Sequence, residues 1–251
     1  MQVTVLGCWA PYPAAHGACS GYLVEAGDMK ILLDAGHGTF AHLAAAIDFR
    51  QLDLVVVSHY HPDHSADLPC LRHAIHGAIN DGTREKKLRV YAPKEPGEEF
   101  ERLQKMRDGL DIRGIDDIMK DDNGVIAIPE GFIKLFRTNH PLPTYGSEII
   151  HKEAKLVYSA DTGASKELRQ AAALADLLIC EASLLEEHKE YGALKGHLTS
   201  REAALIAKEA NVKNLLITHL WPEYDLSRLL QEAQELFPNT FLAAEKLVRK
   251  I

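Results

Sequence analysis

The chain has 251 residues, 46% of them hydrophobic and 25% charged, with a net charge of −8. These values exclude a disordered polymer and fit one large α/β domain or two small ones. The acidic balance argues against sequence-independent grip on long nucleic acid, although local anion binding stays open.

No apolar run reaches the roughly 18 residues of a membrane span. The start Met1-Gln2-Val3-Thr4-Val5 lacks the basic opening and long apolar stretch of a signal peptide. A cytoplasmic protein off the membrane is therefore expected. The four cysteines, Cys8, Cys19, Cys70 and Cys180, form no C-x-x-C pair and are expected to be reduced and mostly packed.

In chain order, strand patterns fall at Gln2–Gly7, Gly21–Ala26 and Met29–Asp34, with Gly27-Asp28 as a tight turn between the last two. Ala10–Ser20, with Pro11, Pro13 and Gly17, reads as a loop. Thr39–Ile47 has helical spacing, and Leu52–Ser58 is an apolar strand. Ala66–His76 reads as a helix, Arg89–Ala92 as a strand and Pro96–Met106 as a helix. Asp108–Asn123 is polar, irregular in pattern, and reads as a connection. Strands follow at Val125–Ile128, Phe132–Arg137, Ser147–His151, Lys155–Ser159, Leu177–Glu181 and Asn214–Thr218. Helices are expected at Ser165–Ala173, Thr199–Ala210 and Asp225–Leu236. The second of these helices opens on Thr199-Ser200-Arg201-Glu202, which has the capping-box pattern. Strands first, then strands alternating with helices, is a theme that recurs. It suggests a single domain, 1–251, made of two similar α/β halves, about 1–123 and 124–251, face to face.

Ser58-His59-Tyr60-His61-Pro62-Asp63-His64 places three imidazoles and a carboxylate within six positions. An extended His59-Tyr60-His61 puts both imidazoles on one side, because strand side chains alternate. Pro62 bars a regular helix through the segment, so a loop is expected to bring in Asp63 and His64. Imidazole and carboxylate are ligands for Zn and, in related geometries, for Mn or Fe. One cluster cannot complete two metal sites. His140, Asp161 and His219 each stand just past an expected strand, at the kind of edge where α/β sites assemble.

This pattern resembles the metallo-β-lactamase superfamily over nearly the whole chain. The resemblance implies a four-layer αβ/βα sandwich with two mixed sheets face to face and helices outside. It puts His59, His61 and His140 on one divalent metal, Asp63, His64 and His219 on a second, and Asp161 between them, with Zn as the expected metal. Metals held ~3.5–4 Å apart bind and acidify a bridging water, and the hydroxide attacks phosphorus or a carbonyl carbon. Asp63 orients that nucleophile or accepts its proton.

Within the superfamily the sequence is most similar to RNase Z-type phosphodiesterases. Asp34-Ala35-Gly36-His37-Gly38-Thr39, Cys180-Glu181-Ala182-Ser183 and Gly196-His197-Leu198-Thr199 resemble motifs of that group. The likeness implies His197 as general acid, oriented by Glu181. Cys180 stands where the group has His. The group's tRNA-binding arm is missing, since only twenty residues run from Pro141 to Ala160. A small phosphodiester or nucleotide is therefore the expected substrate. Hydrolysis of a thioester, lactone or other carboxyl ester, or tRNA 3′-end cleavage, is the alternative. A non-catalytic metal module is disfavoured because all seven ligand positions are filled, and a diiron redox protein because the chain leaves no room for a flavin domain. Relatives often form homodimers. His16, His37, Tyr145 and Trp221 are further candidates for contact with substrate, while His73 and His76 read as structural or exposed.

Overall fold

Short aliphatic runs make the strands, and in each half of the chain they join their sheet mostly in the order of synthesis. The protein is described by a computed structural model covering residues 1–251. Two compact units result, Met1–Asn123 with Glu245–Lys250, and Gly124–Ala244.

The first unit contains β1 (Gln2–Gly7), β2 (Gly21–Ala26), β3 (Met29–Leu33), α1 (Thr39–Ala46), β4 (Leu54–Val56), α2 (Pro62–Ser65), α3 (Leu68–Asn80), β5 (Leu88–Ala92), α4 (Gly97–Gln104), β6 (Leu110–Gly114) and α5 (Ile115–Asp121). The second contains β7 (Val125–Ile128), β8 (Gly131–Arg137), β9 (Tyr145–His151), β10 (Ala154–Tyr158), α6 (Lys166–Ala172), β11 (Leu177–Glu181), α7 (Lys189–Lys195), α8 (Ser200–Glu209), β12 (Asn214–Thr218), α9 (Leu226–Gln234) and β13 (Thr240–Leu242). The last strand, β14 (Val248–Lys250), returns to the first unit.

Each unit holds one seven-stranded mixed sheet, in the orders β14-β1-β2-β3-β4-β5-β6 and β13-β12-β11-β10-β9-β8-β7. In both, antiparallel hairpins come first and parallel strands follow. The parallel strands β4 and β11 are buried along their whole length. That requires cover on both faces and explains their unbroken apolar sequences. In the first unit Leu6, Leu23, Leu32, Val55 and Val90 pack with Leu43 of α1 and with Leu71 and Ile75 of α3. Thr199 caps α8 in a full capping box with Glu202. No helix is long and apolar enough to cross a membrane.

Two expectations need correcting. Asp108–Asn123 is not irregular, since it forms β6 and α5. Its polarity reflects an edge strand with Asp111 and Arg113 turned toward water, followed by a short helix with Asp116 and Asp117 in its first turn. Pro62 does not exclude helix. It opens α2 near the N-terminus, where the N–H it lacks has no intrahelical partner anyway. Asp63 and His64 thus ride on a helical turn, and the helix expected from Ala66 begins at Leu68 and runs on to Asn80.

Candidate metal centre

The candidate residues fall into one set in each unit. In the first, β4 runs into Ser58 and His59, and α2 carries Asp63 and His64. His59, Asp63 and His64 are buried and His61 is half-buried. His59 Nε2 and His61 Nδ1 converge to 2.9 Å, and Asp63 Oδ2 lies 3.6 Å from His64 Nε2. Two nitrogen ligands of a tetrahedral zinc, at Zn–N of about 2.0–2.1 Å, stand roughly 3.3 Å apart. Both separations are of ligand size.

The outer partners set the tautomers. Asp34 follows β3 with a left-handed backbone, φ 61. It accepts hydrogen bonds from the Ser58 amide at 2.7 Å and the Ser58 hydroxyl at 2.9 Å, and its Oδ2 stands 2.8 Å from His64 Nδ1. Ser58 Oγ also meets His59 Nδ1 at 3.0 Å. A carboxylate or hydroxyl on Nδ1 leaves Nε2 as the metal-binding lone pair, the usual arrangement around histidine ligands. The Asp34 turn reaches α2 because of Gly36, where a Cβ would lie only 2.0 Å from the Asp63 carbonyl oxygen.

In the second unit His140, Asp161 and His219 follow β8, β10 and β12. Asp161 Oδ1 and His219 Nε2 are 3.1 Å apart. His219 Nδ1 meets Ser183 Oγ at 2.6 Å, and that hydroxyl donates to Glu181 Oε2 at 2.9 Å. With the imidazole proton on Nδ1, donated to that hydroxyl, Nε2 would present a lone pair toward Asp161, as a metal-ligating histidine does. His140 Nδ1 lies 3.2 Å from the Gly196 carbonyl, and burial lowers the His140 pKa toward the neutral, ligating form. Ala160 and His219 also adopt left-handed backbones, φ 52 and 60. Such conformations cost ordinary residues about 1–3 kcal/mol and recur at functional sites.

His197 sits between the His140 and His219 rings, at centroid distances of 5.2 and 5.4 Å. Its Nδ1 bonds Glu181 Oε1 at 2.8 Å. Glu181 is 1% exposed and also accepts from the amides of Thr162 and Leu198. Burial opposes the imidazolium, but Glu181 outweighs it and the His197 pKa is raised. Asp161, His197 and His219 form a cluster within this unit.

The donor set fits divalent metals on chemical grounds: imidazoles with outer partners on the second ring nitrogen, and carboxylate oxygens beside them. Asp34, Ser58 and Ser183 lie inside the quoted motifs, but their contacts with the candidate ligands were not evident in the sequence. Their signal was placement, Asp34 at the end of a strand and Ser183 two residues after Glu181. Cys180 is fully buried and burial pushes its thiol pKa up, so it is a packing residue. His16 and His37 are exposed. Tyr145 is buried beneath the Arg137 guanidinium, and Trp221 packs edge-on against Tyr224. His73 is exposed and His76 half-buried on α3. Asp34→Asn is expected to weaken metal binding about 10–100-fold, read by competition with a chromophoric chelator. Wild-type affinity in this variant would remove Asp34 from the site.

A family model described as a beta-lactamase superfamily domain matches residues 29–220. "Probable metallo-hydrolase YhfI" of Bacillus subtilis is 35% identical over 238 residues, 94% of each chain. Ribonuclease Z of Archaeoglobus fulgidus is 30% identical over 304 residues, covering 97% of this chain and 95% of that one. The crystal structure of YhfI matches with a TM-score of 0.91 and 31% identity over 99% of this chain and 98% of that one. The human short-form tRNase Z structure matches in fold, with a TM-score of 0.79 and 21% identity over 100% and 99% of the two chains. The chain belongs to the metallo-β-lactamase superfamily. It has that family's α/β sandwich fold and is a metal-dependent hydrolase.

Proposed function

We propose that the protein is a dinuclear metal-dependent phosphodiesterase acting on small phosphodiesters or nucleotides. By the likeness to the superfamily, His59, His61, His140 and Asp161 would hold one ion and Asp63, His64 and His219 the other. In this reading Asp161 would serve both ions, zinc being the metal best matched to imidazole and carboxylate donors, with Mn or Fe as alternatives. When bound, the ions supply Lewis acidity, making water a nucleophile near neutral pH and stabilising charge on phosphoryl oxygens.

The observation that carries the reading is the pair of buried Glu181 and half-buried His197 beside Asp161 and His219. Glu181 holds Nδ1, so Nε2 presents the transferable proton. An alkoxide leaving group, almost as basic as hydroxide, needs that proton, and a thiolate, whose conjugate acid has a pKa of about 8.5, does not. The pair therefore favours phosphodiester over thioester hydrolysis. Asp63, on α2, orients the nucleophile or takes its proton.

The small-substrate part rests on the segment between His140 and Asp161. It holds only the antiparallel pair β9–β10, turning at Lys152-Glu153, and no arm. The alignment with ribonuclease Z is longer than this chain, so that relative carries segments with no counterpart here, whereas YhfI does not require them. Zinc- or manganese-loaded protein is expected to hydrolyse bis(p-nitrophenyl) phosphate and at least one dinucleotide or cyclic nucleotide. Turnover of a thioester without any phosphodiester would sink the chemistry, and faster cleavage of precursor tRNA than of small diesters would sink the substrate class.

A further inference from the structure

Gly196 ends α7 in the left-handed region, φ 72 and ψ 42, with its N–H bonded to the Gly192 carbonyl. The His197 N–H bonds the same carbonyl at 3.0 Å. This reversal aims the Gly196 carbonyl at His140 Nδ1, 3.2 Å away, and delivers His197 to Glu181. The position is closed to side chains on two counts. The backbone conformation is costly for L residues other than Asn and Asp. A Cβ would also stand 2.8 Å from the Asn139 carbonyl oxygen and 2.9 Å from His140 Cα.

The carbonyl of Gly196 and the amide of His197 belong to one planar peptide unit. One edge of that plane holds the His140 proton on Nδ1 and sets the ring's rotation. The other edge starts the residue proposed to protonate the leaving group. Neither end of the plane can turn without the other.

We infer that Gly196 is a positioning residue whose peptide plane couples the seating of His140 on a metal to the placement of His197. The inference rests on the ligand and proton-donor roles proposed above. Addition of a Cβ at this position displaces the plane from His140 whether or not the new residue tolerates the left-handed backbone.

The test uses the full chain as wild type, Gly196→Ala, Gly196→Asn and His140→Ala. Zinc affinity is read by competition with a chromophoric chelator, and amide exchange is followed across residues 189–198. Both glycine variants are expected to bind one zinc equivalent about 10–100-fold more weakly. Zinc added to metal-free wild type is expected to slow exchange across 189–198, and to do so less in the variants. Wild-type affinity in Gly196→Asn overturns the inference, because backbone strain alone would then account for Gly196→Ala. If the glycine variants do not fold, wild-type exchange decides, and no zinc-dependent slowing overturns it. Wild-type zinc binding in His140→Ala instead refutes the underlying ligand assignment. Reduced binding there with normal binding in Gly196→Asn refutes only the coupling.

Discussion

Asp161→Ala is expected to lower kcat/KM for a phosphodiester by at least about 10³-fold, the several kcal/mol that metal assistance contributes to charge stabilisation. Asp161 Oδ1 faces His219 Nε2 at 3.1 Å, while the loop around it is also held through its main chain, the Thr138 hydroxyl donating to the Asp161 carbonyl at 2.8 Å. The variant should therefore fold with its far-UV spectrum unchanged and bind less metal. Elemental analysis together with steady-state kinetics checks this. A variant that keeps both its metal content and its rate to within tenfold would remove Asp161 from the chemistry.

The second large effect is expected at His197. Replacement by Ala should cost about 10²–10⁴ in kcat for a diester with an alkoxide leaving group, the range of general acid catalysis. The loss should shrink toward unity with p-nitrophenolate, which leaves without a proton. Glu181→Gln should follow the same leaving-group pattern more weakly, since the amide can still hold Nδ1 but no longer supports the imidazolium. The measurement is kcat/KM against leaving-group pKa for wild type and both variants. An equal loss for all leaving groups would make His197 a packing residue between the His140 and His219 rings.

The placement of the candidate ligands was legible in the sequence where they follow strands. His140, Asp161 and His219 were found because a polar, ligand-type residue straight after an apolar run marks the exit of a buried strand, and the structure places each of them after one. The β9–β10 hairpin and the capping box of Thr199 were readable for the same reason, because both are set by neighbours in the chain. The outer partners were not. Asp34 meets His64 across thirty positions and Ser183 meets His219 across thirty-six, so only folding pairs them. Edge strands also escaped. β6 and β14 carry charged residues on the side facing water, and β14 is three residues long, so neither shows a strand's apolar run. Pro62 misled because its meaning depends on position, as a breaker inside a helix and a starter at its first turn.

The return of β14 to β1 bears on synthesis. The first unit needs Glu245–Lys250 to finish its sheet: Val3 pairs with Arg249, and Glu245 Oε1 accepts from Trp9 Nε1 at 2.7 Å and from the Ala18 amide. While the ribosome is still making the second unit, the outer rim of β1 stays open to stray strands. A sheet begun at β1 is thus completed only by a strand made more than two hundred residues later, and a nascent chain halted before residue 245 leaves that rim unguarded.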